Sequence, residues 1–204
     1  RKDQFRNKIV FNTFPSLEAQ VAAISDDIAY NNHDLEDGLR AGLFSFKKIV
    51  SMPHVSKLIN RHVKNIKNFR KEIIISQIVR DLINLMVVDV INTTNKNLKL
   101  CSPQSINDIY KQDRLIVDFS VKMKKIDKEI KEFLKRNMYN HKKVITSANK
   151  GKRVINDLFK YLLKNPKKYI SETKFKNEHK ERVIADFVAS MTDRYAINLH
   201  KKIK

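Results

Sequence analysis

Asp26, Tyr30 and Asp34 follow one another at intervals of four within the run from Pro15 to Gly38. In a helix that spacing stacks the three side chains on one face, one turn apart. A carboxylate, a phenol and a second carboxylate in line are able to touch a single bound ligand. The surrounding residues predict an inner helix: Leu17, Val21, Ile24, Ile28 and Leu35 make one apolar stripe, and Ala19, Ala22 and Ala23 lie on the side leading to Asp26. A carboxylate buried there must be paired, hydrogen-bonded or bound to a metal ion.

Simpler readings stand beside this one. Asp26 could form a salt bridge with a lysine or arginine, and Tyr30 could be a core residue with its hydroxyl satisfied. Asp34 could pair with Arg40 or stand exposed at the last turn. His33 reads as a plain surface or packing histidine.

The elements that would position these residues are helical almost throughout. Ser16 is the expected N-cap of the first helix, with Glu18 near the positive end of its dipole. Gly38 and Gly42 break the pattern, and Leu39 to Val50 reads as a turn and short helix ending near Pro53. A further helix is expected from Val55 to Ile66 and a long one from Phe69 to about Thr94. In the latter, Ile75, Ile78, Val79, Leu82, Ile83, Met86 and Val90 keep the helical period. The polar stretch from Asn92 to Asn107, with Cys101-Ser102-Pro103, reads as a connection. Helices follow at about Asp118 to Tyr139, Val144 to Leu163 and Glu178 to Leu199, with Asn165-Pro166 stopping the second. No run sustains a period of two and no fixed-period repeat occurs. The expected fold class is all-α.

A length of 204 residues suits one domain, or a piece of a larger one. A hydrophobic share of 42% with only 3 Gly and 4 Pro favours a compact helical protein over a disordered or β-rich one. The single cysteine, Cys101, leaves no internal disulfide framework and fits a reducing cytoplasm. No apolar run approaches a membrane span, and no signal peptide precedes the first helix. The net charge of +20 attracts polyanions, nucleic acid or nucleotide. Much of that charge is interspersed with acids along helices, the pattern of a solvated face, and Lys, Asn and Ile together match AT-rich coding. Zinc-finger spacing, an aromatic stacking motif and a clear recognition helix are all missing.

Two segments carry a family resemblance: SLEAQVAAISDDIAYNNHDLEDGLRAG at 16–42 and DFVASMTDRYA at 186–196. Together they resemble the deoxyguanosine triphosphate triphosphohydrolase-like branch of the HD-domain superfamily. The resemblance spans essentially the whole chain but only the C-terminal part of such an enzyme. It implies a helical HD-type bundle, with residues 1–100 the C-terminal part of the catalytic domain and 101–204 a C-terminal helical region. The activity implied is metal-dependent hydrolysis of a deoxynucleoside triphosphate (dNTP) to a deoxynucleoside and inorganic triphosphate.

On these residues the resemblance assigns Asp26 as a ligand of a divalent metal, Mg²⁺, Mn²⁺ or a similar transition metal. It assigns Tyr30 and Asp34 to the sugar end of the substrate, near the 3′-hydroxyl. The earlier histidine and the His-Asp dyad of the family's metal site have no counterpart here. His33-Asp34 spells the same dipeptide, but Asp34 already matches another family position. Asp27 stands where related enzymes carry a basic residue facing the phosphates. No catalytic acid or base is assigned. Lys67, Arg70 and Arg80 are phosphate-binding candidates by position alone, and Asp193-Arg194-Tyr195 marks the family without revealing a role.

The chain starts at Arg1 without an initiating Met, as a fragment would. With one of the family's metal ligands and not the others, the isolated chain is expected to be inactive. A homo-oligomer and a cytoplasmic location are also implied. Two alternatives remain: a catalytically inert remnant of such an enzyme, and a basic all-α nucleic-acid binding protein. The residues do not choose the base, the metal or the oligomer number.

Overall fold

The computed structural model describes residues 13–57, 71–171, 175 and 178–203. Every regular element among them is helical, in agreement with the all-α expectation. The chain divides into two compact units, Arg1–Tyr139 and Asn140–Lys204.

In the first unit, α1 spans Leu17–Arg40. Ser16 caps it by accepting from the Ala19 amide at 3.3 Å. The helix runs through Gly38 instead of stopping there, and Gly42, with φ of +65°, turns the chain. Gly38 has a packing reason: a Cβ there would lie 2.3 Å from the ring of Phe44. Phe44 is itself fixed edge-on against Phe133, with ring centroids 4.8 Å apart. The short α2, Phe46–Val50, follows.

The next helix, α3, spans Lys71–Cys101, a length of about 46 Å at 1.5 Å per residue. It passes through the stretch expected to be a connection. The polar residues Asn92, Asn95 and Lys96 stay exposed, while Asn97 donates to the Ile116 carbonyl at 2.8 Å. Tertiary anchoring thus outweighs the weak propensity of the segment. Ser102, at φ of 39°, turns the chain after Cys101. The expected helix from Val55 to Ile66 lies mostly outside the described residues.

After α4, Ile106–Tyr110, comes α5, Val121–Leu134. It begins three residues later than expected because Ser120 caps it, accepting from Met123 N at 3.2 Å. Asp89 of α3 holds that cap, accepting from Ser120 N at 2.8 Å and Ser120 Oγ at 2.7 Å. A π-helical turn at Lys135–Tyr139 closes the unit.

Helices α1 and α3 run antiparallel, since Glu36 meets Ser76 and Asn32 meets Met86. Ile28, Leu35 and Leu39 pack with Ile78, Leu82 and Met86 and with Met123, Ile126, Ile130 and Leu134 of α5. The expected core residues of α3 are buried, Ile83 only partly.

In the second unit, α6 spans Lys142–Lys164, ended at Asn165-Pro166 as expected. The expected single helix from Glu178 to Leu199 is instead two, α7 at Lys180–Ala189 and α8 at Asp193–Ile203. Two hydroxyls make the break. Ser190 Oγ turns back on the Phe187 carbonyl at 2.8 Å, and Thr192 Oγ1 accepts from Tyr195 N at 3.3 Å to start α8. Leu162, Ile170, Val183 and Ile184 form the core of this unit. His200, nearly buried, meets Asp157 Oδ2 at 2.8 Å.

Candidate functional site

Helix α1 presents two different faces. Ile28, Asn32, Leu35 and Leu39 are buried in the seam with α3. The face bearing Asp26, Tyr30 and Asp34 is open among the described residues: Asp26 is exposed, Tyr30 is 63% exposed and Asp34 is half-buried. This corrects the expectation of an inner helix. Ala19, Ala22 and Ala23 are exposed and Val21 is 47% exposed, because nothing described packs on that side. Burial therefore imposes no partner on Asp26 in this structure.

Asp34 has a partner that sequence reasoning did not find. Tyr139, on the π-helical turn, donates its hydroxyl to Asp34 Oδ2 at 2.5 Å. The suggested pairing of Asp34 with Arg40 is not formed. Arg40 instead meets Glu36 Oε1 at 2.6 Å and Ser76 Oγ at 3.0 Å. Burial, and then the Asp34 carboxylate with Tyr30 beside it, push the Tyr139 phenol well above its ordinary range. It therefore stays a protonated donor. Tyr139 left no mark in the sequence because its partner lies 105 residues away. A π turn is also not readable from composition, although such turns recur at functional sites.

Two turns earlier, Lys131 of α5 joins two helices. Its ammonium lies 2.9 Å from Asp27 Oδ2 and 2.9 Å from Asp127 Oδ2. Asn31 of α1 donates to Asp127 Oδ1 at 3.3 Å. Burial pulls the Lys131 pKa down, but the hydrogen bonds and charges of Asp27 and Asp127 outweigh it and hold it above the ordinary value. Asp27 and Asp127 share the single Lys131 charge, so the cluster keeps one net negative charge beside the open face. A cleft of about 480 Å³ opens beside it, floored by Ala19, Ala23, Ile24 and Phe119 and edged by Lys124 and Lys131.

No group of three or more histidine, cysteine or carboxylate side chains converges among the described residues. Asp26 alone supplies one oxygen donor, and a hard divalent cation takes six or more ligands. The donors present therefore do not by themselves fit a metal ion. His33 is exposed, as expected. Arg80 is exposed on α3, and Lys67 and Arg70 lie outside the described residues. Asp193-Arg194-Tyr195 forms the first turn of α8 in the second unit. Among the described residues, no helix is long and apolar enough to cross a membrane.

Comparison with known proteins agrees with this all-helical architecture. A family model described as a phosphohydrolase-associated domain matches residues 117–202. A protein of Pelagibacter ubique (strain HTCC1062), named deoxyguanosinetriphosphate triphosphohydrolase-like, is 50% identical over 199 residues, covering 98% of this chain and 53% of its own length. Proteins of the same name from Bradyrhizobium diazoefficiens and Parvibaculum lavamentivorans are 37% and 35% identical, each over 94% of this chain and 49% and 50% of their own lengths. Residues 117–202 thus match the phosphohydrolase-associated class, and over nearly its whole length the chain is homologous to proteins named deoxyguanosinetriphosphate triphosphohydrolase-like. It spans about half the length of the curated relatives it matches.

Proposed function

We propose that this chain supplies part of the active site of a dNTP triphosphohydrolase, with Asp26 as one metal ligand and Tyr30 and Asp34 as the sugar end of the substrate pocket. The observation that carries this reading is the open face of α1, where the three side chains stand together with Asp34 held by Tyr139. The Tyr30 ring offers an apolar surface for a deoxyribose, and Asp34 has an oxygen left to accept from a sugar hydroxyl. Tyr139 positions Asp34, fixing one carboxylate oxygen so that the other points at a defined place. The remaining metal ligands come from outside the described residues. A divalent ion bound there would supply charge stabilisation at the reacting phosphorus. A homo-oligomer and residues 1–100 as the C-terminal part of an HD-type domain belong to the same proposal.

The chain as it stands should release no triphosphate from dNTPs in the presence of Mg²⁺ or Mn²⁺, because one carboxylate does not fix a catalytic metal. Metal-dependent release by these 204 residues alone would overturn the partial-site reading. In a chain extended to the length of its relatives, Asp26→Ala should abolish metal binding and turnover while the helical content stays unchanged. Full activity in that variant would remove Asp26 from the ligand set. The coding sequence before Arg1 separates enzyme from remnant. An in-frame histidine followed by a His-Asp dyad supports the enzyme; a stop codon or frameshift supports the inert remnant.

A further inference from the structure

The amino-terminal half of α6 is both basic and exposed. No carboxylate occurs between Glu132 and Asp157, while Lys142, Lys143, Lys150, Lys152 and Arg153 fall in the α6 part of that interval. At 100° per residue the five lie within one half of the helix circumference. That half faces away from Leu158 and Leu162, which anchor the helix in its unit. Every residue from Ile145 to Arg153 is exposed. Among the described residues none of the five meets a carboxylate, in contrast to the lysines of α5, where Lys124, Lys128 and Lys131 each face an acid. An isolated block of like charge carries a self-repulsion that an interspersed face avoids.

We propose that this half of α6 is a docking surface for the phosphodiester backbone of nucleic acid. The charge is complementary: a duplex presents one negative charge per about 1.7 Å of axis. Lys142 and Lys143 at one end and Lys150, Lys152 and Arg153 at the other are about 13 Å apart along the helix, so they span several phosphates. Thr146 and Asn149 lie between them on the same half and supply neutral donors of the kind that meet phosphate oxygens. No aromatic residue lies between Lys142 and Arg153, so bases have no platform to stack on and binding is sequence-independent. A lipid surface fits less well, because Leu158 and Leu162, on the side opposite the charges, are already buried within the unit. The inference is independent of the active-site reading.

The test uses the 204-residue chain and labelled oligonucleotides of two unrelated sequences, read by fluorescence anisotropy from about 50 to 200 mM salt. The variant K142Q/K150Q/R153Q removes three charges from the arc. The control K122Q/K125Q/K128Q removes three from α5, where acids alternate with bases. The arc variant should weaken binding about tenfold or more and lower the slope of log affinity against log salt by about 2–3, while the control changes affinity less than about threefold. K142R/K150R, which keeps the charge, should bind as the parent does and shows that the helix is intact. Equal weakening by the two triple variants would reduce the effect to net charge and overturn the proposal. Displacement of the oligonucleotide by inorganic triphosphate, or by polyglutamate, at equal charge concentration would also overturn it, by assigning the arc to a free polyphosphate or to an acidic protein.

Discussion

Replacing Tyr139 by Phe removes one oxygen atom and asks whether the π-helical turn positions Asp34. The lost bond joins a phenol to a carboxylate at 2.5 Å. Hydrogen bonds to charged groups contribute about 1.5–3 kcal/mol when shielded from water. Tyr139 is 37% exposed and Asp34 half-buried, so water re-solvates the freed carboxylate and the expected loss falls to about 1 kcal/mol. Denaturant midpoints of Tyr139→Phe, Asp34→Asn and the double variant close a cycle. The coupling should be about 1 kcal/mol, since residues in direct contact commonly couple by about 0.5–3 kcal/mol. A second readout belongs to the pair alone. Burial and the Asp34 carboxylate raise the Tyr139 pKa, so the phenol ionises only at high pH, and Asp34→Asn should bring that ionisation down in an ultraviolet titration. Additive stabilities together with an unmoved titration would refute the contact and with it the role of Tyr139 in positioning Asp34.

Three further outcomes follow from contacts away from the open face. Gly38→Ala gains helix propensity of about 1 kcal/mol. It also drives a methyl group into the Phe44 ring, which Phe133 keeps from retreating, and overpacking costs about 1–3 kcal/mol. The denaturant midpoint should therefore fall, and Phe44→Leu in the same chain should recover part of the loss; a Gly38→Ala chain more stable than its parent would contradict the packing account. Glu36 has its pKa lowered from 4.5, first by the hydrogen bond from Arg40 and then by that from Ser76. A depressed carboxylate contributes stability that is fully present above its unfolded value and is lost as pH falls through the lower folded value. Glu36→Gln should therefore flatten the stability profile below pH 4.5 and leave its shape at neutral pH unchanged, which thermal melts across that range would check. Ser120→Ala removes the α5 cap and one of the two bonds to Asp89 and should cost about 1–2 kcal/mol by denaturant midpoint, against near zero if the cap is dispensable.

The readable parts of the fold were those fixed by local rules. Ser16 announces α1 by its own side chain, and the apolar period of α3 places Ile75, Ile78, Leu82 and Met86 in the core, where they are found. The misread parts were decided by contacts between residues far apart in the chain. Nothing near Asn97 reveals that Ile116 will accept from it and carry α3 on to Cys101. The polar run around Asn92 looks like a loop because solvated helix faces and loops share a composition. Ser190 and Thr192 end one helix and begin the next through single hydroxyl bonds, a signal easily lost inside a long apolar period.

The candidate site divides along the same line. Spacing alone places Asp26, Tyr30 and Asp34 on one face of α1, but the Tyr139 hydroxyl and the Lys131 ion pairs require the fold to bring α5 and its π turn against that helix. Folding and the proposed chemistry fall on opposite sides of α1. The seam of Ile28, Asn32, Leu35 and Leu39 against α3 holds the helix in place, and Asp26 and Tyr30 project, largely exposed, from the other side. Substituting Asp26 should therefore change stability by no more than about 0.5 kcal/mol, the range of exposed positions. That separation gives the ligand assignment its force: once Asp26→Ala is shown to leave the fold unperturbed, any loss of metal binding or turnover it causes in the extended chain belongs to the carboxylate itself and not to a weakened helix.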